Sequence, residues 1–247
     1  MLKFIKQTMK AAPLLGPLLR RAGRWHYHWK RDPARHIRKA LAGRRDLVVV
    51  QIGSNDGALG DPIHDLLMAN PSWSALLVEP VPFLFERLKQ TYAGRLRTAF
   101  AQVAIGEESG SATFYHLSEK AREAMPDLPP WHDQLGSFNP AHIEKLLGHR
   151  VAPYIMRAPI QTMRLEDLFT SHGIEKLDLL HIDTEGYDWN ILKQLDLSKW
   201  NPEVILFEHA HLSPATKEEA RASLQALYTI TDLGSDYFCQ IKRGAKS

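Results

Sequence analysis

The feature that most constrains this chain is the apolar run Leu47-Val-Val-Val-Gln-Ile52, which breaks at once into Gly53-Ser-Asn-Asp-Gly57. Its β-branched residues and short length mark a strand buried on both faces, at the centre of a parallel sheet. The two glycines let the chain turn sharply and approach a ligand with no Cβ in the way. A second buried strand, Ser74-Ala-Leu-Leu-Val78, ends on Glu79, 22 residues beyond Gly57. A carboxylate there, at the carboxyl edge of the sheet, suits the two hydroxyls of a ribose.

This order of elements is that of a Rossmann-like half-domain holding a ribose-bearing cofactor. A dinucleotide fingerprint needs a second glycine beside the pyrophosphate, and here that position is Asn55. A G-x-N-x-G loop instead suits a ligand with no pyrophosphate and with amino and carboxylate ends to hold, and S-adenosylmethionine fits. The bland alternative is a tight strand-to-helix turn followed by a surface carboxylate.

At 247 residues the chain is long enough for one large α/β domain with an added arm. Its single cysteine, Cys239, excludes an internal disulfide and argues for a reducing, cytoplasmic setting. No apolar run approaches a membrane span, and no secretory signal is evident at the N-terminus. The net charge of +3 conceals an asymmetry: residues 1–45 carry +12, and residues 46–247 carry −9. In this arm Leu2, Phe4, Ile5, Met9, Leu14, Leu15, Leu18 and Leu19 alternate with cations, and Arg24–Arg31 mixes cations with aromatics. Such a segment can lie on the inner face of an anionic membrane or dock on the acidic remainder of the chain. Pro13 and Pro17 interrupt any long helix and weaken the membrane reading.

Beyond Glu79 the periodicity predicts a helix over Val81–Tyr92 and strands over Thr98–Ile105 and Ser111–Leu117. Residues 118–156 break the rhythm with five prolines and the aromatics Trp131, Phe138 and Tyr154. A long irregular insertion of this kind reads as a lid. Alternation then resumes with a strand over Ala158–Met163, pairing with Ser111–Leu117, a helix over Leu165–Ser171 and a strand over Leu177–Ile182. A helix over Tyr187–Leu195, a strand over Val204–Phe207, a helix over Thr216–Leu227 and an antiparallel hairpin of Tyr228–Asp232 with Tyr237–Ile241 complete the chain.

From about Leu47 to Lys242 the sequence resembles the FkbM family of S-adenosylmethionine-dependent methyltransferases. Gln51-Ile-Gly-Ser-Asn-Asp-Gly57 is similar to that family's D-x-G-A-N-x-G, and Glu79-Pro80 to its E-P. Gln102-Val-Ala-Ile-Gly106, Thr162-Met-Arg-Leu-Glu-Asp-Leu168 and Leu179-Leu-His-Ile-Asp-Thr-Glu-Gly186 match three further motifs in order. Gln51 and His181 depart from the acid and the lysine usual at those positions. The resemblance implies a class I methyltransferase fold of seven main strands, with an antiparallel C-terminal hairpin, an extra strand pair and a lid. It implies cofactor contacts from Gln51, Gly53, Ser54, Asn55, Asp56, Gly57, Glu79, Gln102, Val103 and Asp183. It also implies methyl transfer to an oxygen of a sugar, glycolipid or natural-product acceptor.

An alcohol must lose its proton as it attacks a methyl group, which calls for a positioned base or a metal. Asp183, His209 or His181 could be that base, with His181 as readily a buried structural histidine. Asp183, Glu208 and His209 fall at neighbouring strand ends and could hold Mg²⁺ or another divalent ion. Otherwise Asp183 and Glu185 complement a helix N-terminus. Trp131 and Tyr154 could stack on a sugar or a flat ring. Two other classes compete: an RNA methyltransferase gripping its substrate through the arm and Trp25, Tyr27 and Trp29, and a non-catalytic scaffold. The acidic core speaks against nucleic acid, and the motifs speak against the scaffold.

Overall fold

The structure is a computed structural model that describes residues 31–244. The amphipathic stretch of the arm, and Trp25, Tyr27 and Trp29, lie outside the described residues. The first element is helix α1 (Pro33–Ala40), capped by the Asp32 side chain and started by Pro33. Its Ile37 is fully buried with Leu41 among Leu206, Val204 and Phe238. The C-terminal end of the expected arm is therefore part of the core, held by apolar burial of about 1.5 to 3 kcal/mol per side chain.

Strands β1 (Val48–Ile52), β2 (Ser74–Val78) and β3 (Thr98–Ala101) alternate with helices α2 (His64–Ala69) and α3 (Pro82–Thr91). Next come β4 (Ala104–Ile105), β5 (Gly110–Leu117), the short α4 (Ala121–Ala124), β6 (Gly136–Ser137), α5 (Pro140–Leu147) and β7 (Ile155–Met163). The last third holds α6 (Leu165–Ser171), β8 (Leu179–Ile182), α7 (Asp188–Leu192), β9 (Val204–Glu208), α8 (Pro214–Leu224), β10 (Tyr228–Asp232) and β11 (Asp236–Ile241).

Seven strands form the main sheet in the order β10-β11-β9-β8-β1-β2-β3. β1, β2, β3, β8 and β9 run parallel, and β11 inserts antiparallel between β9 and β10. This is the class I sheet with its closing hairpin. Successive residues feed opposite cores: Val50, Ile52, Leu76, Val78, Leu180 and Ile182 on one face, and Val49, Ala75, Leu77, Leu179 and Leu206 on the other. Two buried faces explain why these strands read as unbroken apolar runs.

The expected single strand Thr98–Ile105 is in fact divided. Its first half is β3 of the main sheet, and its second half is β4, which opens a separate sheet of order β4-β7-β5-β6. The long antiparallel pair of β5 with β7, Gly110 to Leu117 against Thr162 to Ile155, is the partnership expected. The insertion 118–156 is more ordered than expected. It folds over a small apolar core of Leu117, Ala121, Leu128, Leu135, Ile143, Leu147 and Val151, with α5 capped by the Asn139 side chain and started by Pro140.

Candidate active site

Strand register aligns one row of residues at the carboxyl edge of the sheet. Ile52 pairs with both Val78 and Ile182, and Ile182 pairs with Phe207. The residues that follow, Gly53, Glu79, Asp183 and Glu208, therefore stand side by side where open α/β sheets bind ligands. A cavity of about 400 Å³ is lined by Gly53, Glu79 and Asp183 of this row.

One corner is built from the β1 loop and the end of β2. The Gly53 and Ser54 N–H groups both donate to the Val78 carbonyl at 3.0 Å, pinning the loop against β2. Gly53 has φ +80°, and a Cβ on it would lie 1.8 Å from the Asp183 carbonyl oxygen, so only glycine lets β1 and β8 converge there. Asn55, at φ +49°, donates its N–H to Glu79 Oε2 (2.9 Å), and Val81 N–H donates to Oε1 (2.8 Å). Burial pushes the Glu79 carboxyl up to about 7, against the opposing pull of those two N–H donors. Gly53, Asn55, Glu79, Pro80 and Val103 line this corner.

At the far end the cavity meets the loops after β8 and β9 and helix α5 of the lid. Asp188 stands fully buried at the start of α7, where its carboxylate accepts from Thr184 N–H (3.2 Å) and Gly186 N–H (3.0 Å). That clamp holds the intervening Glu185 at φ +55°, a left-handed conformation unusual for a side-chain-bearing residue. Glu185 Oε2 then lies 3.1 Å from His211 Nε2 and 3.5 Å from His142 Nε2. The two imidazoles pack edge to face, 5.1 Å between centroids. His142 Nε2 is buried without a hydrogen-bond partner. Between the two ends Phe138 and Tyr187 form an aromatic wall, with ring centroids 5.4 Å apart.

Of the residues expected to bind the cofactor, Gly53, Asn55, Glu79, Val103 and Asp183 line the cavity, and the others lie behind it or away from it. Gln51 is buried and donates to Asp61 Oδ1 (3.2 Å). Ser54 Oγ joins the Gln51 carbonyl to Val78 N–H. Asp56 accepts from Ala58 and Leu59 N–H, both at 3.0 Å. Gly57 packs beneath Leu88 and Tyr92, and Gln102 is exposed. Trp131 is 43 % exposed and Tyr154 packs on the lid core, so Phe138 supplies the lid's aromatic face instead.

The expected catalytic and metal residues separate in the same way. His209 stacks on Tyr237 at 3.7 Å and approaches Asp232 (3.4 Å), outside the cavity. His181 is 1 % exposed with neither ring nitrogen bonded, and burial lowers it to about 3, so its ring is neutral. It faces a second cavity with Asp32, Asp61, Asp183, Glu208 and Asp236. Burial first, and then repulsion from neighbouring carboxylates such as Asp188 and Glu185, raises Asp183 and Glu208 well above the usual carboxylate range. Asp183, Glu208 and His209 do not converge to ligating distance. Among the described residues the group that does is His142, Glu185 and His211, whose donor atoms all lie within 4.8 Å of one another.

The methyltransferase FkbM domain profile matches residues 51–237, three quarters of the chain. The chain belongs to the FkbM family. A 2-O-methyltransferase, NoeI, of Sinorhizobium fredii is 24 % identical over 153 residues, 62 % of this chain and 59 % of that protein. This chain thus matches less than two thirds of that relative's length. Two solved structures are similar at lower identity: the METTL16 methyltransferase domain (10 % identity, TM-score 0.44, 83 % of this chain and 64 % of that one), and precorrin-6y C5,15-methyltransferase of Geobacter metallireducens (12 %, TM-score 0.41, 83 % and 85 %). Membership implies S-adenosylmethionine as cofactor, and the residues present fit it. Gly53, Asn55, Glu79 and Asp183 line one cavity together, and Glu79 offers ribose hydroxyls a fixed carboxylate.

Proposed function

We propose that the protein is an O-methyltransferase that moves the methyl group of S-adenosylmethionine to a hydroxyl of a sugar, glycolipid or natural-product acceptor. The observation that carries this reading is the single cavity joining the Gly53–Glu79 corner to the His142–Glu185–His211 corner beneath the lid. The relative named as a 2-O-methyltransferase supports oxygen as the acceptor atom. When bound, the cofactor supplies an electrophilic methyl on a cationic sulfur. Glu79 receives the ribose hydroxyls, Gly53 and Asn55 shape the backbone against the ligand, and Asp183 stands at the junction of both ends. The acceptor hydroxyl must lose its proton as it attacks. His142, Glu185 and His211 are the groups placed to take that proton or to hold the oxygen, while Phe138 and Tyr187 offer flat faces to a ring.

Transfer of radiolabelled methyl from the cofactor to a panel of glycans, glycolipids, polyketides, amines and RNA tests this. Label on a hydroxyl, lost in His211→Asn, is expected. Label on RNA or amines with none on any hydroxyl overturns it.

A further inference from the structure

We propose that His142, Glu185 and His211 form a divalent transition-metal site that clamps lid helix α5 to the edge of the main sheet. The Nε2 atoms of both imidazoles point at one carboxylate oxygen, 3.5 Å from His142 and 3.1 Å from His211. Ligand atoms about 2.0 to 2.2 Å from a common ion in tetrahedral or octahedral array lie about 3 to 3.5 Å apart, so both carboxylate–imidazole spacings match a ligand set, and all three donor atoms lie within 4.8 Å of one another. His142 Nε2, buried and without a hydrogen bond, has only the 3.5 Å approach of Glu185 Oε2, and an ion would give it a direct bond. The shell behind the donors is fixed as well. Asp188 locks the Glu185 turn through Thr184 and Gly186 N–H, and Gly186 lies against the His211 side chain, where an added Cβ would approach to 3.2 Å, while Glu208 Oε1 stands beside the donor atom itself, 3.5 Å from His211 Nε2.

Two imidazoles and one carboxylate select Zn²⁺, Mn²⁺, Fe²⁺ or Co²⁺ over Mg²⁺ or Ca²⁺. Three protein ligands leave positions open toward the cavity, as in sites where a metal works on a substrate. Resting on the proposed methyl transfer, the open position takes the acceptor oxygen and polarises it.

The test is titration of chelator-stripped full-length protein with Co²⁺, followed by its visible absorption and by the melting temperature. One equivalent should bind with d–d bands of a low-coordinate N/O site and raise the melting temperature. His142→Asn and Glu185→Gln, each checked for native circular dichroism, should weaken binding by about a hundredfold or more. His149→Ala, on the exposed end of the lid, should leave it unchanged. Absence of bands, or bands that persist in both variants, overturns the site. Full methyl transfer to hydroxyls after chelation also overturns it while sparing the proposed function. Co²⁺ binding without transfer to any hydroxyl does the reverse.

Discussion

Glu79 carries its charge where burial disfavours it, and that tension has a readable pH signature. Its folded pKa near 7 lies above the ordinary 4.5, so the folded protein keeps a proton that the unfolded chain releases in that window. The contribution of Glu79 to stability is therefore complete below about pH 4.5 and declines as pH rises through 7. Ribose hydroxyls donate to the ionised form, so cofactor affinity should move the opposite way and tighten by up to about tenfold between pH 6 and 8. Calorimetry on wild type and Glu79→Gln checks this: the variant's affinity should be weaker and should lack the Glu79 component. An identical pH profile would exclude Glu79 from the contact. Glu185 makes a different trade. A side-chain-bearing residue at φ +55° is strained by about 1 to 2 kcal/mol relative to glycine. Glu185→Gly should melt within about 1 kcal/mol of wild type while methyl transfer drops by about 10²- to 10⁴-fold. A loss of stability with turnover intact would make Glu185 a structural residue. At this scale the sequence exposed Glu79 and Asp183, because each directly follows an unmistakable strand. It hid Asp188, whose role exists only through the backbone of Thr184 and Gly186, and it hid His142, whose partners lie more than forty residues away along the chain.

Elements with an unbroken apolar run or a regular apolar period were the readable ones. β2 and α6 fall within their expected bounds, and β1, β9 and the hairpin differ by a residue at an end. The division between β3 and β4 was invisible because Gln102-Val103 carries neither glycine nor proline, and the change of sheet is enforced by β7, which pairs with Ala104 and Ile105 from a distant part of the chain. The irregularity expected of residues 118–156 failed for the opposite reason. Their prolines look like breakers, yet Pro140 starts a helix, where its fixed φ and missing N–H are helpful. Fully buried Ile143 sits at the centre of the lid core, and Ile143→Ala should cost the lid about 2 to 4 kcal/mol. Because α5 carries His142 to the proposed acceptor end, the Michaelis constant for acceptor should rise while cofactor affinity holds. Cofactor binding that collapses with the lid would show the two ends to be one folding unit.

At the scale of the whole molecule, two sheets divide the work. The main sheet is paired on both sides of its centre and sets the edge row of Gly53, Glu79, Asp183 and Glu208, while the smaller sheet and α5 bring Phe114, Phe138 and His142 to the cavity. Among the described residues no helix is long and apolar enough to cross a membrane. A chimera that exchanges residues 118–154 for the equivalent stretch of another family member, keeping His142, should retain cofactor affinity and change which acceptor is methylated. An unchanged acceptor profile would place the choice in the main sheet instead. The lid's separate apolar core of Leu117, Ala121, Leu128, Leu135, Ile143, Leu147 and Val151 has a further consequence for descent. Under the proposed function, substitutions in this cluster reshape the α5 side of the acceptor end through residues that the main sheet's core does not contain, so substrate preference can drift on that side without endangering the fold that carries the methyl donor.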